Sequence, residues 1–258
     1  MLTERSARVV AAVKLHRHVG RRRANRFLAE GPNLVEAASA RGLVRDLFVT
    51  EDAARRYEPL LTGPVHVVTE RAAKALSDTV TPTGLIAVCE IPATGLDDVL
   101  ANTPQLVAVA VDINEPGNAG TVIRIADAMG AAGVVLAGHS VDPYNGKCLR
   151  ASTGSIFAIP VAVAPDALAA VTALKDAGLR VLATTVDGET LLDDADLSAP
   201  TAWLFGPESH GLAADIAAAA DQRVRIPMAG GAESLNVAAA AAICLYQSAR
   251  GLGLTGRS

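Results

Sequence analysis

Short apolar runs alternate with segments of helical length along nearly the whole chain, the pattern of an α/β protein. Two further features divide it. Up to residue 92 the apolar runs are short, and basic side chains outnumber acidic ones by 14 to 10. From residue 105 the runs become near-continuous, as in parallel strands covered on both faces, and acids outnumber bases by 15 to 9. The expected architecture is a small N-terminal α/β domain at 1–92, a connector at 93–104 broken by Pro, Gly and Asp, and a parallel-sheet α/β domain at 105–258. A 258-residue chain that is 50% hydrophobic can bury a large core, which excludes a disordered protein.

The chain opens with a basic amphipathic helix expected from about Glu4 to His18, with Val9, Val10, Val13 and Leu15 on its apolar side. RFLAEG follows as a short strand closed by glycine. PNLVEAASARG reads as a helix, with Pro32 in its first turn, where a missing N–H costs nothing, and Gly42 as its stop. VRDLFVT, VHVVT and LIAVCEI read as strands, separated by helical stretches at 51–61 and 70–77. Beyond the connector, LVAVAVDI, GVVLAG, FAIPVAVA, RVLATTV, TAWLFG and RVRIPM are the expected strands. Helices at about 118–130, 166–177, 212–220 and 235–250 separate most of them. No internal repeat or low-complexity tract is present.

The net charge of −4 is a sum over unlike parts. Residues 1–26 hold Arg5, Arg8, Lys14, Arg17, Arg21, Arg22, Arg23 and Arg26 against Glu4 alone. Clustered arginine is an electrostatic footprint for phosphates, and equally the pattern of a solvated helix face. With aromatics at 3%, base-stacking platforms are not expected, so any nucleic acid would be met by charge and shape. Cys89, Cys148 and Cys244 are far apart and odd in number, which reads as buried thiols in a reducing compartment. The five histidines show no zinc spacing, so no metal is expected. No apolar segment follows the basic N-terminus, and the most apolar stretch, Leu235 to Tyr246, is too short to span a bilayer. A soluble, cytoplasmic protein with no membrane partner is the expectation.

In a doubly wound sheet, ligands collect beyond the carboxyl ends of the strands. Three loops there carry more Gly, Asn and acid than a connector needs. The first, NEPGNAGTVIRIADAMG, has Gly117 and Gly120 at GxxG spacing, which falls short of the GxGxxG dinucleotide fingerprint. Arg124 follows in an apolar helical context, where it either snorkels to solvent or faces an anion. The second, GPESHGL at 206–212, places Glu208 between two glycines that permit close backbone approach. The third runs from RVRIPM through AGGAESLNVAAAAAICLYQSAR, with Ser234 or Glu233 expected to cap a helix beginning near Leu235. The orphan amides of that helix start are available to a ligand.

Together these segments resemble the SpoU family of RNA 2′-O-ribose methyltransferases, within the SPOUT superfamily. The matching residues are Asn118 to Arg124, FGPESHGL at 205–212 and IPMAGGAESLNVAAAAAI at 226–243, in the family's order. The likeness spans 106–250. The first ninety residues also resemble the substrate-binding domain attached to many members, in FLAEG and the TPTG before LIAVCEI. The layout is closest to the ribosomal RNA enzymes of the thiostrepton-resistance type.

The resemblance implies a C-terminal trefoil knot, which sequence pattern alone does not suggest. It implies S-adenosyl-L-methionine as methyl donor, held largely by backbone groups of the second and third loops, with Gly206, Ile226, Met228 and Leu235 as contacts. It makes Arg124 the central catalytic residue. A guanidinium stays protonated, so Arg124 is expected to orient the ribose 2′-hydroxyl and stabilise alkoxide charge rather than take the proton. Asn118, Glu208, Ser234 and Asn236 complete the implied catalytic set: the asparagines position the ribose or Arg124, and Glu208 pairs with that arginine. Arg17, Arg21, Arg22, Arg23 and Arg26 are the expected grip on RNA, with 23S ribosomal RNA favoured and transfer RNA second. A homodimer through the C-terminal domain is implied, with Val237 to Leu245 at its interface. Pro207 and Ser209-His210 depart from the residues many members carry there, which bears on RNA choice.

Two other classes remain open at this stage. One is a nicotinamide oxidoreductase using residues 114–121; the other is a non-catalytic RNA- or ribosome-binding protein of the same fold.

Overall fold

The computed structural model describes residues 1–255; the last three positions of the expected second domain lie outside them. Helices α1 (Ala7–Val13) and α2 (His18–Ala24) lead into β1 (Arg26–Glu30), α3 (Pro32–Ala40), β2 (Val44–Val49), α4 (Glu51–Arg56), β3 (Val65–Val67), α5 (Glu70–Leu76) and β4 (Leu85–Glu90). Then come α6 (Leu96–Leu100), β5 (Leu106–Val111), α7 (Pro116–Ala128), β6 (Gly133–Ala137), α8 (Gly146–Ser152), α9 (Ser155–Ala158) and β7 (Val161–Ala164). The chain continues through α10 (Ala167–Asp176), β8 (Arg180–Thr184), β9 (Thr190–Leu191), β10 (Thr201–Phe205), α11 (Ala214–Ala219), β11 (Gln222–Arg225) and α12 (Val237–Gly251). Two compact units result: residues 1–93 with 144–157, and residues 94–143 with the chain from Ala158 onward.

In the first unit the sheet order is β1-β4-β2-β3, with β4 antiparallel to both neighbours and β2 parallel to β3. Val9, Ala12 and Leu15 pack with Phe48, Ile86 and Leu76 in its core. The helix expected over Glu4–His18 is broken. It ends at Val13, a 3-10 turn covers Lys14–His16, and Arg17 is extended at φ −92°, ψ 138° before α2 restarts. Gly20 permits the break, because a Cβ there would overlap the Lys14 carbonyl and push α2 off the turn.

Residues 144–157 complete this unit from a distance in sequence. The Tyr144 and Phe157 rings lie 4.8 and 5.9 Å from that of Phe27, and Arg150 pairs with Asp78. A second domain running unbroken from 105 does not describe this packing. Nor is 93–104 a bare connector, since it holds α6, whose Val99 is fully buried in the core of the second unit. Burial also pushes the Cys89 thiol up to about 12, and all three cysteines are buried and outside any disulfide among the described residues.

The second unit is a seven-stranded sheet of order β7-β6-β5-β10-β8-β11-β9, parallel throughout. Strands β5, β6 and β10 are buried along their whole length, as continuous apolar runs require of a sheet covered on both faces. The run FAIPVAVA divides: Phe157 belongs to α9, and β7 begins only after Pro160, which has no N–H to give a ladder. Helix α12 packs on α7, β5 and β10. There the fully buried Trp203 donates Nε1–H to Ser248 Oγ at 2.7 Å.

Candidate active site

Beyond the carboxyl ends of the neighbouring strands β10, β8 and β11 lies a cleft of about 700 Å³. This is where a parallel sheet exposes strand-end loops, and the volume falls among small-molecule pockets. Gly206, Ile226, Met228 and Leu235 all lie in its wall, as do Glu208 and Ser234. Gly206 is required by the loop itself. A Cβ there would come within 2.5 Å of the Leu212 amide nitrogen and 2.6 Å of the Gly211 carbonyl carbon, so no other residue allows the tight fold of 206–212.

At one end of the cleft the three sequence segments are knotted together by hydrogen bonds. Glu208 Oε1 accepts from Asn118 Nδ2 at 2.9 Å, from Asn236 Nδ2 at 2.7 Å and from the Val237 amide at 3.2 Å. Asn236 Nδ2 also donates to Asn118 Oδ1 at 3.2 Å. The other half of the Asn236 amide caps α12: its Oδ1 accepts from the amides of Ala238 and Ala239 at 3.0 and 3.3 Å. That cap fixes which way the amide faces, leaving Nδ2 toward Glu208. Three donors on one oxygen suit a carboxylate, and the start of α12 adds its favourable dipole. On the opposite side, Glu115 caps α7 by accepting from the Asn118 amide at 2.8 Å.

Three expectations change. Glu208 does not pair with Arg124. Six residues along α7 carry Arg124 about 9 Å from Asn118 and about a third of a turn around the axis. Its side chain is exposed, with no hydrogen bond or ion pair among the described residues. Helix α12 is capped by Asn236 rather than by Ser234 or Glu233, because it starts at Val237 and only Asn236 reaches the first free amides. Gly117 and Gly120 lie inside α7 rather than in a loop before it, so residues 114–121 offer no phosphate-cradling turn.

Thr184, Thr185 and Asp187, at the end of β8, also line the cleft and were not singled out from the sequence. The signal was available: a Thr-Thr pair at the carboxyl end of an apolar run, followed by Asp and Gly. These residues fit S-adenosylmethionine. Phe205, Ile226, Leu235 and Val237 give an adenine apolar walls. The Thr185 hydroxyl is buried without a hydrogen-bond partner among the described residues; Glu208 and Glu233 add negative charge to the wall, while Asp187 there is paired with Arg223. Among the described residues no cluster of three or more His, Cys, Asp or Glu could hold a metal, and no helix is long and apolar enough to cross a membrane.

In the first unit Arg17, Arg22, Arg23 and Arg26 are exposed. Arg21 is not the surface contact for RNA phosphates expected from the sequence. It is 4% exposed, and its Nη1 donates to the carbonyls of Leu15 and His16 at 3.0 and 2.9 Å, satisfying the 3-10 turn at the helix break.

Residues 105–246 match the SpoU rRNA Methylase family, and residues 7–87 the MRM3-like substrate binding domain. The chain belongs to the SpoU rRNA methylase family. It is 37% identical to the 23S rRNA (guanosine(2553)-2′-O)-methyltransferase RlmP of Bacillus subtilis over 235 residues, which cover 90% of this chain and 92% of the relative. It is 38% identical over 174 residues to a 23S rRNA (uridine(2479)-2′-O)-methyltransferase of Streptomyces viridochromogenes, covering 66% of this chain and 61% of that one. Among solved structures, the SpoU methyltransferase AviRb of Streptomyces viridochromogenes in complex with AdoMet superposes with a TM-score of 0.87 at 33% identity, over 98% of this chain and all of that one. The AdoMet-bound rRNA methyltransferase of Sinorhizobium meliloti gives 0.86 at 31% identity, over 96% and 95% of the two chains.

Proposed function

We propose that this chain transfers a methyl group from S-adenosylmethionine to a ribose 2′-hydroxyl of 23S ribosomal RNA in the cytoplasm. The observation that carries the reading is the Asn118–Glu208–Asn236 junction, which ties the three family segments together beside a cleft suited to the methyl donor. When bound, S-adenosylmethionine supplies an electrophilic methyl group. The chain's part is to hold that donor between apolar walls and to present the ribose oxygen in line with it. Glu208 and the two asparagines are committed to one another, so they fix the loops. Arg124 is the free cation of α7. Its guanidinium donates to the attacking oxygen and stabilises the negative charge that grows there as the hydroxyl proton passes to solvent water.

Ribosomal RNA is favoured because the similar enzymes are named for 23S rRNA, and the exposed arginines of the first unit supply phosphate contacts. The homodimer assignment is refined. Val237, Ala238, Ala241, Cys244 and Leu245 are buried within their own unit, so a partner meets the outward stripe of Ala239, Ile243, Tyr246 and Arg250. Ile243→Lys is expected to give a monomer by light scattering; an unchanged dimer removes α12 from the interface. The function is tested by incubating the protein with tritiated S-adenosylmethionine and unmodified 23S rRNA or transfer RNA, then digesting to nucleosides. Label in a 2′-O-methylnucleoside from 23S rRNA is expected. Label on a base, or on transfer RNA alone, contradicts the proposal.

A further inference from the structure

A second cavity, of about 210 Å³, lies wholly within the first unit. It has room for about seven waters at bulk density, and is below the ~300–1,000 Å³ of pockets that take a whole cofactor. Its floor is apolar: Leu15, Leu28, Leu34, Leu76 and Leu149 line it. Its remaining wall is polar and of mixed sign, with His16, Glu30, Asp78, Asn145 and Arg150. The wall is held firmly. Ser77 and Thr79 hydroxyls donate to the Glu30 carboxylate at 2.7 and 3.1 Å, and Arg150 pairs with Asp78.

Two carboxylates make this a poor home for a phosphate, and two guanidinium groups, those of Arg21 and Arg150, make it a poor home for a cation. What fits is a flat neutral ring with apolar faces and a polar edge. The cavity's position narrows the source. Helix α2 sends Arg21 into its wall while Arg22 and Arg23 stay on the surface, which puts phosphate-binding side chains on an element that walls the cavity.

We propose that this cavity receives one unpaired nucleobase of the bound RNA. The inference rests on the reading of the first unit as RNA-binding and adds what that unit recognises: an extruded nucleotide as well as phosphate charge. The segment 144–150 supplies part of the wall, so the receptor exists only in the full chain.

The test measures binding of the full-length protein to three RNA hairpins by fluorescence anisotropy. One carries a single purine bulge, one an abasic residue at the same place, and one is fully paired. The purine bulge is expected to bind at least about tenfold tighter than the abasic one, as for burial of one base. The variant Ala75→Leu narrows the cavity and keeps the Ala75 carbonyl that pairs with His16 at 3.2 Å. It is expected to bind all three hairpins alike, with unchanged melting temperature and S-adenosylmethionine affinity. Equal binding of purine and abasic bulges by the wild type overturns the proposal, whether or not the variant folds. Retained preference in a folded Ala75→Leu protein overturns it too. Failure to bind any RNA, 23S fragments included, instead removes the RNA-binding reading beneath it.

Discussion

Asn236 does two jobs with one amide, and a carboxylate at its position could do only one of them. Its oxygen caps α12 and its nitrogen donates to Glu208 and Asn118. Asn236→Asp keeps the cap but replaces the donor with a charge facing the Glu208 carboxylate. Helix content by circular dichroism is therefore expected to hold, while S-adenosylmethionine affinity by calorimetry falls at least about tenfold, of the order expected for losing a charge-assisted hydrogen bond. Undiminished affinity would show that the junction does not shape the cleft. Arg124 stands apart from this network, so its substitution should separate chemistry from binding. Arg124→Ala is expected to cut the methyl-transfer rate by about 10²–10³, the cost of removing one preorganised oxyanion donor. Its affinity for S-adenosylmethionine should not change; a parallel loss of affinity would place Arg124 in the cleft after all. The resemblance to the family named every member of the junction, yet the pairing it implied for Glu208 is not the one the structure has. Motif spacing tells which residues meet, and only helix geometry tells which face each presents.

At the scale of elements, the apolar strands and the short helices α4, α5 and α11 were legible, while α8, α9 and the two-residue β9 were not. The runs LVAVAVDI, GVVLAG and TAWLFG became β5, β6 and β10 because an apolar run of strand length in a two-faced sheet leaves little alternative. Helices α8 and α9 have seven and four residues, too few for a 3.6-residue period to show against the apolar run beside them. The break after Val13 was hidden for another reason: apolar spacing continues through the 3-10 turn to Leu15, and the close approach of Gly20 to the Lys14 carbonyl, which permits the restart, shows only in the folded chain. The same holds for Arg21, whose burial depends on the carbonyls that this break exposes. Helix α12 is tied to β10 by the buried Trp203–Ser248 hydrogen bond. Ser248→Ala leaves the indole N–H unsatisfied in the core, at a cost of about 1–3 kcal/mol. Urea unfolding should show the midpoint shift with an unchanged slope; no shift would mean the indole finds another acceptor.

For the molecule as a whole, the charge division seen in the sequence maps onto the two units, with one amendment. Residues 144–157 bring Lys147 and Arg150 to the basic first unit and so enlarge its excess of positive charge. No composition change marks that insertion, because it is recognised only through long-range packing on Phe27. With Arg21 withdrawn into the fold, the RNA grip rests on Arg17, Arg22, Arg23 and Arg26. Neutralising Arg22, Arg23 and Arg26 is expected to reduce the slope of log affinity for RNA against log salt by about 2–3, since each lost phosphate contact releases one fewer counterion. An unchanged slope would take these arginines out of the interface. Neutralising Arg21 is a different experiment, because its side chain holds the Leu15 and His16 carbonyls and walls the first unit's cavity.

The central claim concerns one oxygen atom, and alkaline hydrolysis of the RNA reads it directly. Hydrolysis needs a free 2′-hydroxyl, so a methylated ribose leaves a gap in the ladder. Treating unmodified 23S rRNA with this protein and S-adenosylmethionine is expected to produce a single such gap, absent without the methyl donor and strongly reduced with Arg124→Ala. A complete ladder from an RNA that has taken up label would place the methyl group elsewhere and contradict the account.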